Sequence, residues 1–278
     1  MAPLPRICGP AGWHGQDRGN LSQRHLRHHA ARRTGRAQCR SCAGGTAMTP
    51  AETDVIPSPD PVRLTVQGGG SFPVREVYCI GRNYADHARE MGHDPDREPP
   101  FFFRKDREHL VPGGGDVPYP PATTDLHYEV ELVVALGAGG AHMDTAQAEA
   151  AIWGYAAGID LTRRDLQGQA KDMRRPWDMG KGFAGSGPVG ALVPAGAAGI
   201  TEATPIRLTC DGAEVQTGTI GQMIWPVAEA IAYLSSLVAL HPGDLIFTGT
   251  PAGVGPVARG QTLVAEVGGL PALTVTMT

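Results

Sequence analysis

One apolar run constrains this chain more than any other stretch. Val130-Glu131-Leu132-Val133-Val134-Ala135-Leu136 ends at Gly137, and its β-branched, turn-bounded composition reads as a buried strand. Asp125-Leu126-His127-Tyr128-Glu129 leads into it. Side chains two apart share a face of a strand, so Glu129 and Glu131 point the same way while Val130 points into packing. Two neighbouring carboxylates repel unless a cation lies between them. Carboxylate oxygens are hard ligands, so the expected cation is Mg²⁺, Mn²⁺ or Ca²⁺ and not a thiolate-seeking metal. The same alternation also describes an exposed strand with two solvated glutamates. The pattern by itself leaves both readings open.

At 278 residues the chain could form one large domain or two small ones. Its 38 Gly, 24 Pro and 41% apolar content suit a loop-rich soluble enzyme better than a helical bundle. No apolar run reaches the ~18 residues that a membrane span needs. Charge divides the sequence unevenly. Of 24 basic and 28 acidic residues, the first 50 positions hold eight Arg, no Lys and one acid, Asp17, hence +7. The other 228 residues, with 16 bases against 27 acids, carry −11. That balance argues against nucleic acid as a partner.

The basic stretch lacks apolar periodicity. Cys39-Arg40-Ser41-Cys42, with His28 and His29 upstream, makes only half of a zinc site. Its Arg-rich, acid-poor composition also resembles a transit peptide, but without the amphipathic helix. The adopted reading is a functional start at Met48. Residues 1–47 are then a disordered or spuriously included extension, 48–76 an approach segment and 77–278 the main domain. Cys79 and Cys210 are too few for a disulfide framework, which fits a reducing cytoplasm.

Further along, 62–66 reads as a short strand before the Gly68-Gly69-Gly70 turn, and 77–81 as another closed by glycine. Residues 82–92 read as a short helix ending in glycine. On it His87 and Glu90 stand at i and i+3, neighbours on one face. A carboxylate beside an imidazole fixes its tautomer and stabilises its protonated form, as a general base acting on water requires. A surface helix with incidental charges would look the same. Phe101-Phe102-Phe103-Arg104-Lys105 is an aromatic strand ending in cations. Its aromatics belong in the core, and Lys105 either meets a substrate carboxylate or is exposed at the strand end.

The alanines of 145–157 suggest a helix. Asp160 is flanked by apolar residues, needs a partner if buried, and could complete a metal site with Glu129 and Glu131. Lys181 is a lone cation in a Gly-rich loop. Residues 206–210 and 214–219 form a hairpin about Asp211-Gly212, and 226–240 a core-facing helix. Strand 245–247 empties into Thr248-Gly249-Thr250-Pro251-Ala252-Gly253-Val254-Gly255. Glycines there let the backbone approach a ligand, and amides with hydroxyls can hold an anion. The spacing is not that of a dinucleotide-type phosphate loop. A final pair of strands spans 262–276.

Five strings stand in order: GRNYADHARE (81–90), HYEVEL (127–132), GIDLTRRDLQ (158–167), PWDMGKGF (176–183) and PGDLIFTGTPAGVG (242–255). Together they resemble the fumarylacetoacetate hydrolase family over about residues 77–276. Within it the chain looks most like the short bacterial fumarylpyruvate hydrolases and acylpyruvases. The resemblance implies an α+β, mainly β fold, a mixed β-sandwich roll with short flanking helices. It also implies a homodimer and one Mg²⁺ or Mn²⁺ per subunit, with Ca²⁺ as a crystal substitute. By position, Glu129, Glu131 and Asp160 match the family's metal ligands, and His87 and Glu90 its water-activating dyad. Lys181 matches the lysine beside the metal, and Arg164 and Gln167 match polar groups facing the substrate. Gly249 and Thr250 match the loop that grips a carboxylate end. Asp106 stands where the family commonly has proline after Phe-x-Lys, which leaves the role of Lys105 open. Nothing in the family resembles 1–47.

The implied activity is cleavage of a 2,4-diketo acid, fumarylpyruvate or another acylpyruvate, to pyruvate and a carboxylic acid in aromatic catabolism. One enolate-forming metal site would equally serve oxaloacetate decarboxylation or dienoate isomerisation. A non-catalytic metal-binding protein on this scaffold is less expected, because ligands and dyad are all present. The expected partners are the small diketo acid and a second subunit, with neither nucleic acid nor membrane.

Overall fold

Strand Val130–Leu136 has no exposed residue, and it lies in the middle of the largest sheet. The computed structural model describes residues 55–85 and 98–278. The readings made for 1–47, Met48, the Cys39–Cys42 pair, His87 and Glu90 lie outside the described residues, as does most of the helix expected at 82–92. All the elements below belong to one unit, Pro57–Thr278.

The central strand is flanked by Leu245–Phe247 and Ile152–Ile159, both antiparallel to it. On one side Val77–Gly81 runs parallel to Leu245–Phe247, and Phe101–Lys105 pairs antiparallel with Val77–Gly81. On the other, Gly187–Val189 and Leu110–Pro112 follow, and Val193–Pro194 also joins Ile152–Ile159. A second sheet runs Ala213–Thr219, Pro205–Cys210, Thr262–Val267, Leu273–Met277, Gly115–Val117. Its first two strands form the expected hairpin, with Asp211 and Gly212 at φ 48° and 83° in the turn.

Strand parity divides the interior into two cores. Val130, Leu132, Val134 and Leu136 meet Ile206, Leu208, Leu263, Ala265 and Val275 of the second sheet. Val133 and Ala135 face the opposite way, onto Val77, Cys79, Leu245 and Phe247. Leu64, Phe72 and Val74 join this second core from the hairpin Arg63–Thr65 and Ser71–Pro73. The fold is thus α+β and mainly β, with short helices, as the resemblance implies. Among the described residues no helix is long and apolar enough to cross a membrane.

Three elements differ from the sequence reading. The helix expected over 145–157 stops at Ala150, and Ile152–Ile159 is a strand. Asp144 starts the helix by accepting from the Gln147 N–H at 2.8 Å. Alanine's helix preference amounts to tenths of a kcal/mol per residue. The competing state pairs a buried backbone along the whole of Val130–Leu136. Gly154 and Gly158 also suit the crowded sheet, since a Cβ at Gly158 would stand 2.5 Å from the Val133 side chain. The helix expected to Leu240 ends at Leu237, where Val238 turns extended. The third difference is a break at Glu129: Leu126–Tyr128 and Val130–Leu136 belong to separate sheets.

Candidate metal centre

That break builds the site. Leu126–Tyr128 pairs with Thr162–Arg163 and Gly255–Pro256, while the next strand continues in the large sheet. The junction leaves the Val130 N–H without a ladder partner, and it donates to Gln216 Oε1 at 2.9 Å. Asp160 follows Ile152–Ile159 directly, and its N–H donates to the Glu129 carbonyl at 2.8 Å. Glu131 stands opposite Gly158 in the same antiparallel register. Three carboxylates therefore converge from two adjacent strands. Oxygens of Glu129, Glu131 and Asp160 lie within 4.8 Å of one another, and all three residues are buried.

Like charges packed so closely need cations. Lys181, at the end of the short helix Asp178–Lys181, puts Nζ 2.6 Å from Asp160 Oδ2 and 2.9 Å from Glu129 Oε2. Arg164 holds Glu129 Oε1 at 2.6 Å and Gln167 Oε1 at 2.7 Å. Lys105, 1% exposed, sits 2.8 Å from Asp160 Oδ1 and donates to the Lys181 carbonyl. The Lys105 ammonium lies off the line of a hydrogen bond to Oδ1, so that buried oxygen has no directed donor. Burial lowers the Lys181 pKa, but Asp160 and Glu129 outweigh it and the ammonium ends above its ordinary range.

Glu131 is different. Among the described residues it has no cation partner and accepts from the Gly249 N–H at 2.7 Å. Burial first, then Asp160 and Glu129, push its carboxyl well above the usual range. A buried carboxylate short of positive charge, beside an undirected Asp160 oxygen, is what a hard divalent cation would satisfy. The residues present fit such an ion. Room for it is small, about 20 Å³ of water-accessible space in the cleft that Glu129, Glu131 and Lys181 line.

The glycine-rich loop closes one wall. Gly249 has φ +93°, and a Cβ there would come within 2.7 Å of Asn83 Cβ. Asn83 ties the loop in place, donating to Thr248 O at 2.9 Å and accepting from the Trp225 N–H at 2.8 Å. Gln216 Nε2 donates to the Thr250 hydroxyl at 2.8 Å.

Eight residues singled out in the sequence thus meet in one cleft region: Glu129, Glu131, Asp160, Arg164, Gln167, Lys181, Gly249 and Thr250. Two participants were not anticipated, and a third takes a role that the sequence left open. Asn83 and Gln216 carry no signal that separates them from the other polar residues of their strings. Lys105 is neither exposed nor on the cleft wall: it is a buried counter-ion of Asp160. Its place follows from the ladder, where position 105 stands opposite the buried Val77 on the edge strand of the main sheet.

The family model described as fumarylacetoacetate (FAA) hydrolase C-terminal matches residues 76–278. A fumarylpyruvate hydrolase from Ralstonia sp. is 42% identical over 189 residues, 67% of this chain and 98% of that protein. The mitochondrial oxaloacetate decarboxylase of Dictyostelium discoideum is 38% identical over 198 residues, 70% of this chain and 90% of that protein. The crystal structure of fumarylpyruvate hydrolase from Pseudomonas aeruginosa, in complex with Mn²⁺ and pyruvate, aligns with a TM-score of 0.79 at 48% identity. That alignment covers 81% of this chain and 99% of the other.

Proposed function

The chain belongs to the fumarylacetoacetate hydrolase family, and from that premise we propose that it is a metal-dependent hydrolase of 2,4-diketo acids. It cleaves fumarylpyruvate or another acylpyruvate to pyruvate and a carboxylic acid, with 77–278 as the catalytic domain. The observation that carries this reading is the buried triad Glu129, Glu131 and Asp160, whose cations leave Glu131 uncompensated. The triad would hold Mg²⁺ or Mn²⁺, and the Mn²⁺ and pyruvate in the Pseudomonas aeruginosa structure support that assignment. A bound ion supplies Lewis-acid polarisation of the substrate's 2-oxo group.

The chain's own groups do the rest. Lys181 keeps its proton between Glu129 and Asp160, so it presents a fixed positive charge to oxygens that become negative during cleavage. Arg164 and Gln167 orient the substrate, and the Gly249 and Thr250 loop receives a carboxylate end. His87, oriented by Glu90, takes a proton from the water that attacks the distant ketone. The resemblance supports a homodimer as the working form, and the scarcity of cysteines a reducing cytoplasm as its place.

Oxaloacetate decarboxylation is the second reading, favoured by the Dictyostelium discoideum relative. Pyruvate release from a panel of acylpyruvates and from oxaloacetate, with and without Mg²⁺, separates the two. His87→Ala and Glu90→Gln should lower acylpyruvate hydrolysis by roughly 10²–10⁴ while Mg²⁺ and oxalate still bind. Near-normal hydrolysis by His87→Ala would remove the dyad from the mechanism. Faster turnover of oxaloacetate than of any acylpyruvate would replace the hydrolase reading.

A further inference from the structure

Two cations at the cleft, Arg82 and Lys171, are not needed to balance the triad, whose counter-ions are Lys181, Lys105 and Arg164. Arg82, Arg164 and Lys171 all line the cleft together with Glu129 and Glu131. Arg164 has Glu129 as a partner, but neither Arg82 nor Lys171 forms an ion pair with a carboxylate among the described residues. Both instead lie over the Trp177 ring, Arg82 at 5.7 Å and Lys171 at 5.2 Å from its centroid. Arg82 also lies 5.4 Å from the Phe101 centroid. Both side chains are half-buried. Burial, then the fields of Arg164 and Arg82, bring the Lys171 ammonium down to about 8, as expected for a cation held among cations.

Backbone geometry adds an independent sign. Arg82 has φ 58°, a left-handed conformation that a non-glycine residue keeps where its surroundings require it. The cleft also opens sideways. An aromatic hollow of about 550 Å³ shares Arg82, Phe103 and Trp177 with it. An elongated substrate anchored at the triad has room for its acyl arm along these rings. The arm would then pass beneath two cations that form no ion pair among the described residues.

We propose that Arg82 and Lys171 form a second anion site in the cleft, selecting acylpyruvates whose acyl arm itself ends in a carboxylate. The inference rests on the triad binding the 2-oxo acid end of the substrate. Both cations are held at the Trp177 ring, so an unsaturated arm can lie along the neighbouring aromatic rings while its terminal carboxylate is received by the pair. Substrates with alkyl arms gain nothing from the site and leave its charges uncompensated.

The test uses stable 2-oxo acids on the Mg²⁺-loaded full-length protein. Calorimetry would compare 2-oxoglutarate, 2-oxoadipate and 2-oxopimelate with alkyl 2-oxo acids of the same lengths. At the best length the dicarboxylate should bind roughly 10- to 100-fold more tightly, the usual effect of a charge-assisted contact. Lys171→Met should remove most of that preference and leave alkyl acids bound as before. Arg82→Met should do the same, and Lys171→Met keeps the test decisive should the strained Arg82 position not tolerate replacement. In turnover, Lys171→Met should raise KM for fumarylpyruvate and leave acetylpyruvate unaffected. A wild type without preference at any length, or a preference untouched in Lys171→Met, overturns the inference while the triad reading stands. Binding of neither series overturns both.

Discussion

The two faces of strand Val130–Leu136 make opposite contributions. On one, Leu132, Val134 and Leu136 fill a core closed by the second sheet. Each such side chain stabilises the fold by about 1.5–3 kcal/mol. On the other, one end of the strand carries Glu131 into a cluster with Glu129, Asp160, Lys105 and Lys181, nearly all removed from water. Removing an ion from water costs several kcal/mol even after relaxation, and pairing recovers that only with good geometry. The apolar face therefore holds the sheet together, and the charged face is tolerated because the sheet is already held. Substitutions on the first should change stability without changing chemistry. Those on the second should change chemistry, with effects on stability that depend on which charges remain paired.

Asp160 gives the largest expected effect because two buried lysines lean on it. Asp160→Asn conserves shape but leaves both ammonium groups under-compensated, an expected loss of about 3–5 kcal/mol. Mg²⁺ binding should vanish with it. Urea midpoints and calorimetry check both, and a variant with wild-type values in each would break the comparison. Next comes Leu132→Ala on the other face, expected to lose about 2–5 kcal/mol through a cavity. Mg²⁺ affinity and kcat of the folded fraction should be unchanged. A large fall in kcat there would mean that the two faces are coupled.

Glu131 sharpens the contrast because its substitution should stabilise. Its folded carboxyl pKa is raised, so the fold prefers the protonated form. That contribution is intact below the ordinary carboxylate value near ~4.3 and is lost as pH rises through the raised one. Once pH has risen past that raised value the metal-free protein carries an unsatisfied charge, which Glu131→Gln removes. The metal-free variant should then be more stable by about 1–3 kcal/mol, with the difference shrinking toward acid pH. Mg²⁺ reverses the order. At about 100 times Kd it adds about 2.7 kcal/mol to wild type, and nothing to a variant that has lost the ligand. Equal thermal shifts with Mg²⁺ would take Glu131 out of the site.

Legibility followed the same division. The strand was readable because burial on both faces makes the sequence continuously apolar, as from Leu132 to Leu136. The carboxylates were readable as residues that a strand interior should not contain. Their grouping was less so, because it depends on the register that sets Glu131 opposite Gly158 and brings Asp160 beside Glu129. The family resemblance supplied that grouping in advance. Lys105 was left between a substrate contact and an exposed end, because a strand-end lysine normally reaches water. Here its ladder position beside Val77 leaves Asp160 as its partner. The alanines of 145–157 misled because helix propensity is local, while the strand Ile152–Ile159 is required by its neighbours.

The smallest expected effect concerns residues that belong to neither face. Among the described residues the first buried side chain is Leu64, and the second core is closed by Leu64, Phe72 and Val74. Residues 1–47 show no apolar period that could add to either core. Deleting them should leave the unfolding free energy from urea titration within about 0.5 kcal/mol of wild type, as for changes remote from the packing. Their eight arginines against one acid make the test more demanding. A +7 segment lying near the triad would compete with a divalent cation, and its removal would raise Mg²⁺ affinity, most at low salt where screening is weak. The expected outcome is an Mg²⁺ affinity that is the same with and without the segment at low and high ionic strength. A salt-dependent gain on truncation would instead make the basic segment a third party to the charge balance of the site. The division between a stabilising face and a chemical face would then have to include it.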